Sequence, residues 1–253
     1  MQVHLPKPLH GWREFVGEVG IIVLGVLIAL GFGQIVEQLQ WHYEVRTTRQ
    51  AIADELVATA NQGAERLAVE ACLRDRIGEL SAKLNRTDGR WTADPMPLAQ
   101  GAELAPHWDE RSMTRVYAVP LRGWTHDAWD TAKSTGALDH INHNELASYS
   151  AIYAEIDAIA GLRDQELLLE SKLSFLSVDQ PLDNGSRTDA LGTLGQLDAL
   201  NATISGLSSL IIQQVKDLHL SVDRARLSED VRQSVRSERE YRGACVKNVQ
   251  IQF

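Results

Sequence analysis

Four of the chain's eight histidines fall between His107 and His143, the others in that stretch being His126 and His140, in company with Asp127, Asp130 and Asp139. Neutral imidazoles and carboxylates are ligands for a zinc-like cation. His126, His140 and His143 are the candidate ligands, the last two at a ligand-like spacing. The same residue types also cap helices and form turns wherever two helices are separated by a break. The spacing is therefore weakly specific, and no metal and no cofactor are assigned from it. No GxSxG, glycine-rich phosphate loop, HExxH, CxxC or dinucleotide fingerprint occurs. The sequence thus offers no catalytic residue, and the expectation is a protein that is not an enzyme.

Three further patterns carry physical content. Arg232, Arg236, Arg239 and Arg242 recur at helical spacing and could face lipid headgroups or an acidic partner, but Glu229, Asp230, Glu238 and Glu240 interleave with them, which favours an internally paired, solvated surface. Cys72 and Cys245 are the only two cysteines, enough for one disulfide and too few for a thiolate metal site. Gly25, Ala29 and Gly33 recur every four residues within an apolar run, the spacing that lets a second helix approach closely in lipid.

That run, Val19 to Val36, is VGIIVLGVLIALGFGQIV, with Gln34 the one strongly polar side chain in 18 residues. At a rise of 1.5 Å per residue it extends roughly 27 Å, just enough for a hydrocarbon core. Trp12 and Phe15 before it and Trp41 and Tyr43 after it stand where interfacial aromatics belong. A cleaved signal peptide is the competing reading. Glu14 and Glu18 in the would-be basic leader oppose it, as does the absence of a turn before the helical pattern that follows. The Lys/Arg count ties across the span, Lys7 and Arg13 against Arg46 and Arg49; the acids Glu37, Glu44, Asp54 and Glu55 beyond it favour a cytoplasmic N-terminus and a periplasmic body. The expected organisation is a cytoplasmic segment 1–18, a transmembrane helix 19–36 and an extracytoplasmic body 37–253.

Helical periodicity then places the candidate residues. No proline occurs from Gln34 to Leu84, and Ile52, Leu56, Ala60, Gly63, Leu67, Ala71, Ile77, Leu80 and Leu84 step by threes and fours, so the anchor helix is expected to continue to a stop near Asn85–Gly89. Residues 86–124 break the pattern with Pro95, Pro97, Pro106 and Pro120 among Trp91, Trp108, Tyr117 and Trp124. This is expected to be a packed irregular insertion, either a distal cap or a recognition surface. A short helix between Thr125 and Gly136 precedes one capped by Asn142 or Asn144, carrying Leu146, Tyr149, Tyr153, Ile156, Ala160, Leu167, Leu173 and Leu176. A last helix starts near Ser186 or Thr188, with a seam at Leu197, Leu200, Ile204, Leu207, Ile211, Val215, Leu218, Val222 and Ala225. The expected fold is all-α: about three long arms running up, down and up as an antiparallel, coiled-coil-like bundle on the membrane. In that arrangement Cys72 and Cys245 both lie at the far end and can form a disulfide.

Gly17-Glu18, the apolar run containing GVLIAL and the long charged helix after it resemble a family of bacterial single-pass membrane proteins of unknown function. The stretch AWDTAKSTGALDHINHNELASYSAIY from Ala128 is similar to that family's tryptophan, lysine and small-residue-glycine-apolar pattern ahead of a tyrosine-bearing helix. Where the family has asparagine-tryptophan-asparagine just after the span, this chain has Gln34, Ile35 and Val36. The resemblance implies a bacterial single-pass helical protein, and it implies no reaction; the expected location is the bacterial inner membrane.

A net charge of -9 gives no overall attraction to a phosphate backbone, so nucleic acid is not an expected partner. The expected role is a non-catalytic scaffold or accessory subunit whose partners are the lipid bilayer and either a second copy or another membrane protein complex. The alternative is a ligand- or metal-binding sensor module that signals through a partner. The full-length chain is expected to sediment with membranes and resist carbonate extraction, while a chain beginning at Val45 is soluble and helical by circular dichroism. A mature chain beginning at Phe32, detected by N-terminal sequencing, would establish cleavage instead.

Overall fold

The computed structural model describes residues 11–96, 115–120, 123–220 and 224–249. One helix, α1, runs unbroken over Trp12–Arg86, 75 residues, or roughly 110 Å of axis. It passes directly from the apolar run into the body, as the absence of proline allows. Every residue of its most apolar stretch is unburied, and the helix is long and apolar enough there to cross a membrane. Burial begins at Val45 and follows Ile52, Leu56, Ala60, Ala64 and Ala68, with a second row at Val57, Val69, Leu73, Ile77, Leu80 and Leu84. Lys83 and Arg86 in the last turn complement the helix dipole where the chain leaves at Thr87.

The chain then forms β1 (Arg90–Trp91), α2 (Asp127–Thr135), a 3-10 turn at Ala137–His140, α3 (His143–Lys172), β2 (Gln180–Pro181), α4 (Asn184–Asp217) and α5 (Arg224–Arg242). The two short strands pair antiparallel, Arg90 with Pro181 and Trp91 with Gln180, and pin the α3–α4 turn to the tip of α1. Trp91 is fully buried there, its indole N–H donating to the Leu176 carbonyl at 2.6 Å, with the Lys83 ammonium 4.6 Å from its ring centroid.

Side-chain bridges give the helix directions. Arg49 meets Glu145, Glu55 meets Tyr153, and Arg66 meets Glu166, so α3 runs parallel to α1. Arg187 meets the Thr87 carbonyl at the tip, Asn201 meets the Glu70 carbonyl, and Ser208 lies at Gly63, so α4 runs back toward the base. From there α5 rises again along α1 and delivers Cys245 to Cys72.

The all-α class and the long arms agree with expectation, while their order does not. The expected up, down, up arrangement had the middle helices carrying the chain down. In the structure α3 runs up alongside α1, and the described residues before α2, 115–120 and 123–126, are not helical. Those residues bring Pro120 against Arg163 and the start of α2 against Glu55. Where it is described the insertion is packed: Trp91 is buried at the tip, and Val116, Tyr117 and Val119 are buried in the core. Trp108 lies outside the described residues.

A second correction concerns the last helix. Its seam holds from Leu197 to Val215, but α4 ends at Asp217 and His219 adopts φ 49°. The left-handed residue reverses the chain, as a histidine tolerates better than a β-branched residue. Val222 lies outside the described residues. No helix-breaking residue marks this turn in KDLHL, and periodicity therefore runs through it unchecked.

Residues 63–66 of α1 are buried on every side. A Cβ on Gly63 would come within 3.3 Å of the Ser208 carbonyl oxygen and 3.4 Å of the Ile212 side chain, so the glycine sets how closely α4 can approach. Gly78, by contrast, is exposed with open space around it. Gly63→Val is expected to destabilise by about 1–3 kcal/mol through overpacking, and Gly78→Ala to stabilise by about 0.5–1 kcal/mol through helix propensity. Chemical denaturation followed by circular dichroism checks both signs.

Candidate functional site

Among the described residues the histidine candidates are placed apart. His126 precedes α2, its Nδ1 2.8 Å from an Asp130 carboxylate oxygen and its Nε2 3.3 Å from Asp157, so it bridges α2 to α3. Asp130 also receives Lys133 at 2.7 Å, and Lys133 first and His126 second hold its carboxyl below the usual range. His140 stacks on Trp41 with ring centroids 4.0 Å apart. His143 opens α3 and is exposed. No group of three or more His, Cys, Asp or Glu side chains suited to a metal ion forms among the described residues. His107 lies outside them.

The helix breaks around these histidines have their own order. Thr125 and Asp127, the cap candidates the sequence offers for α2, do not cap it: the Glu55 carboxylate on α1 accepts from the Ala128 and Trp129 backbone N–H groups at 3.1 and 3.4 Å. Two orphan donors of a helix N-terminus are thereby met by an anion from a neighbouring helix. The Tyr153 hydroxyl donates to the same carboxylate at 2.6 Å, and burial with this hydrogen bond pushes its phenol well above the usual range. Trp129 stacks on the Tyr153 ring at 4.8 Å. Gly136, at φ 75°, ends α2, and Asn142 caps α3 through the Asn144 N–H.

The largest concentration of charge lies deeper. Glu166, fully buried, accepts from Arg66 through two bonds, 3.1 Å to Nη1 and 2.7 Å to Nη2, and from Arg163 Nη1 at 2.8 Å. Arg66 also donates to the Asn201 side-chain oxygen at 3.0 Å, which joins α1, α3 and α4. Glu170, one turn further along α3, accepts from Arg115 at 3.0 Å. Burial pushes the Glu170 carboxyl upward, opposed by Arg115 and Arg163. Burial likewise lowers the Arg163 guanidinium against the pull of Glu166, and raises the buried Tyr117 phenol.

Arginines from three helices also close on segment 115–120. Arg76 of α1 donates to the Val116 carbonyl at 2.8 Å, Arg242 of α5 to Ala118 at 2.8 Å, and Arg163 of α3 to Pro120 at 3.0 Å. Arg115 is bridged to Met96, but the backbone that follows lies outside any helix or strand ladder, which would leave these carbonyls unmet, and the guanidinium groups supply the missing donors. Of the arginines expected to form a basic stripe, Arg242 pairs with Glu238, Arg232 pairs with Glu229, and Arg239 donates to Val246 and Asn248. Arg236 is exposed.

Sequence periodicity does point at the buried charges. The inward stripe of α3, continued in threes and fours past Tyr153, Ile156 and Ile159, lands on Arg163, Glu166 and Glu170. Following apolar residues instead leads to Leu167, which is exposed. The arrangement as a whole consists of neutralised pairs holding helices at fixed register. No nucleophile adjoins a base within it.

Cys72 and Cys245 come to disulfide distance, 2.07 Å between sulfurs and 5.1 Å between Cα atoms, enclosing a chain separation of 173 residues. The Lys247 N–H donates to the Ala68 carbonyl at 2.9 Å and Val246 is buried, so the tail is fastened on both sides of the pair. Both lie far along α1 from the apolar run, reached through a route with one more arm than expected. Gly25 and Gly33 have open space where a side chain would stand, and the whole face they share with Ala29 is exposed. No family model, curated protein or solved structure matches the chain.

Replacing Glu166 by Gln strands two buried arginines, whereas Arg66→Met leaves Glu166 with Arg163. Removing the shared carboxylate is therefore expected to cost the more, about 3–5 kcal/mol, and Arg66→Met combined with Glu166→Leu to cost less than the sum of the two separate changes. Denaturation midpoints of the single and double variants decide the order.

Proposed function

We propose that the chain is a membrane-anchored, non-catalytic helical scaffold or accessory subunit. Residues 19–36 cross a bacterial inner membrane, the N-terminus is cytoplasmic and the body is periplasmic. The observation that carries this reading is the continuity of α1: the same helix that leaves an apolar stretch wholly uncovered forms the centre of the packed body. A partner gripping the anchor is thereby joined without a hinge to the bundle. The cysteine pair supports an oxidising compartment, since such bridges persist outside the cytoplasm. Closing a loop of this length adds roughly 5 kcal/mol in the chain-entropy treatment. The resemblance to the bacterial single-pass family agrees with both points. In lipid the Gly25, Ala29 and Gly33 face supplies the surface for a second copy or another membrane protein.

Purification from native membranes in mild detergent is expected to yield a defined homo-oligomer or a stoichiometric partner, and Gly25→Leu or Gly33→Leu to weaken that association. Non-reducing mass spectrometry of the same material should find the Cys72 and Cys245 peptides linked. A clean monomer would overturn the scaffold reading, and free alkylatable thiols at both positions would overturn the periplasmic placement.

A further inference from the structure

We propose that the Cys72–Cys245 bridge is a site of thiol–disulfide exchange, opened at the Cys245 sulfur by a dithiol protein, and that its opening releases the C-terminal arm, α5 and the tail behind it, from α1. The proposal rests on the two cysteines being joined in the periplasm.

The arm is held by little else. Its buried face steps by four, three and four through Val231, Val235, Glu238 and Arg242. The first two are apolar and buried, but the last two are an ion pair with side chains 15% and 4% exposed, so half of that face is charged. α5 packs chiefly on α1, whereas α4 packs on both α1 and α3. Two bonds tie the arm to the body: Arg242 donates to the Ala118 carbonyl at 2.8 Å, and the Lys247 N–H to the Ala68 carbonyl at 2.9 Å. These and the buried Val246 all lie within three residues of Cys245, so the fastenings share the fate of the bridge. An element with so little apolar burial is the first to open once one end is freed.

The two sulfurs differ in approach. A thiolate attacks a disulfide sulfur in line with the S–S bond, and access decides which sulfur it reaches. At Cys72 that line runs back into α1, where Cys72 is buried together with Ala68 and Val69 one turn before it. At Cys245 it runs outward, past the 3-10 turn Gly243–Cys245. Gly243 and Ala244 are exposed there and carry little bulk, and Cys245 is half-buried.

The incoming thiolate therefore bonds to Cys245 Sγ as the Sγ–Sγ bond breaks, and Cys72 leaves as a thiolate that takes a proton from water. The second thiol of the dithiol, deprotonated, attacks its partner sulfur in the mixed disulfide and expels Cys245 as a thiolate. The dithiol is oxidised to a disulfide and the bridge reduced to two thiols, two electrons passing between them. Release uncovers α1 about Ala68 and Cys72 while the apolar run of the same helix keeps its place. A redox signal thereby becomes a new surface on the body.

The test uses full-length protein purified in mild detergent without reductant. Brief exposure to reduced glutathione, quenched with acid and read by peptide mass spectrometry, is expected to leave glutathione on Cys245 and a free thiol at Cys72. Full reduction with dithiothreitol should speed hydrogen exchange across 224–249 by about tenfold or more, with α4 unchanged. Cys245→Ser should show the same pattern without reductant, and the reduced natural chain carries the test if that variant misfolds. Glutathione on Cys72 overturns the exchange site. Exchange in the arm unaltered by reduction, or accelerated throughout the body, overturns the release. Both of these failures leave the periplasmic placement standing, whereas free thiols at both positions before any treatment remove the bridge and that placement with it.

Discussion

Between residues 63 and 66 α1 is buried on every side, so a charge on the helix there has to be neutralised by a neighbour. Arg66 meets this condition through Glu166, and the pair determines much of the rest. Glu166 is shared with Arg163, and Arg66 reaches Asn201, so the registers of α1, α3 and α4 are set by one connected group. An ion pair at this depth adds little net stability over apolar packing. Its consequence is geometric, because a slip of any one helix would strand an uncompensated charge.

The two principal neighbours of α1 therefore approach it differently. α4 lies against it closely at Gly63, where a side chain would meet Ser208 and Ile212. α3 is bridged to it through long side chains, Arg49 to Glu145, Glu55 to Tyr153 and Arg66 to Glu166. Segment 115–120 supplies Tyr117 and Val119 to the core nearby, and its backbone is satisfied by arginines. An irregular segment can be buried in a helical bundle only on such terms.

These constraints leave the body with few loose joints between tip and base. The β1–β2 pair closes the tip and the Cys72–Cys245 contact ties the tail to the middle of α1. His126 with Asp130 and Asp157, Glu55 on the start of α2, and Trp41 on His140 fasten the base. The proposed scaffold role uses this continuity: a single helix carries both the surface for membrane partners and the axis of the bundle, and no hinge separates them.

The sequence by itself determined the helices, because a helix records its buried face as a local period. The continuity of α1 past Val36, its stop near Arg86, the glycine stop at Gly136, the Asn142 cap and the seam from Leu197 to Val215 were all legible in this way. The all-α class follows from them, and the pairing of Cys72 with Cys245 was legible from the count of cysteines. The tertiary structure alone decided the direction of α3, the reversal at His219 and which partners neutralise the buried Arg66, Arg163 and Glu166. Direction depends on the non-helical stretch before α2, and a segment such as 115–120, stabilised by arginines from three helices, has no local period. His219 turns the chain without a glycine or proline to announce it. A buried charge has the same residue type as a solvated one, and only the arrival of its partner from a hundred residues away makes its burial tolerable.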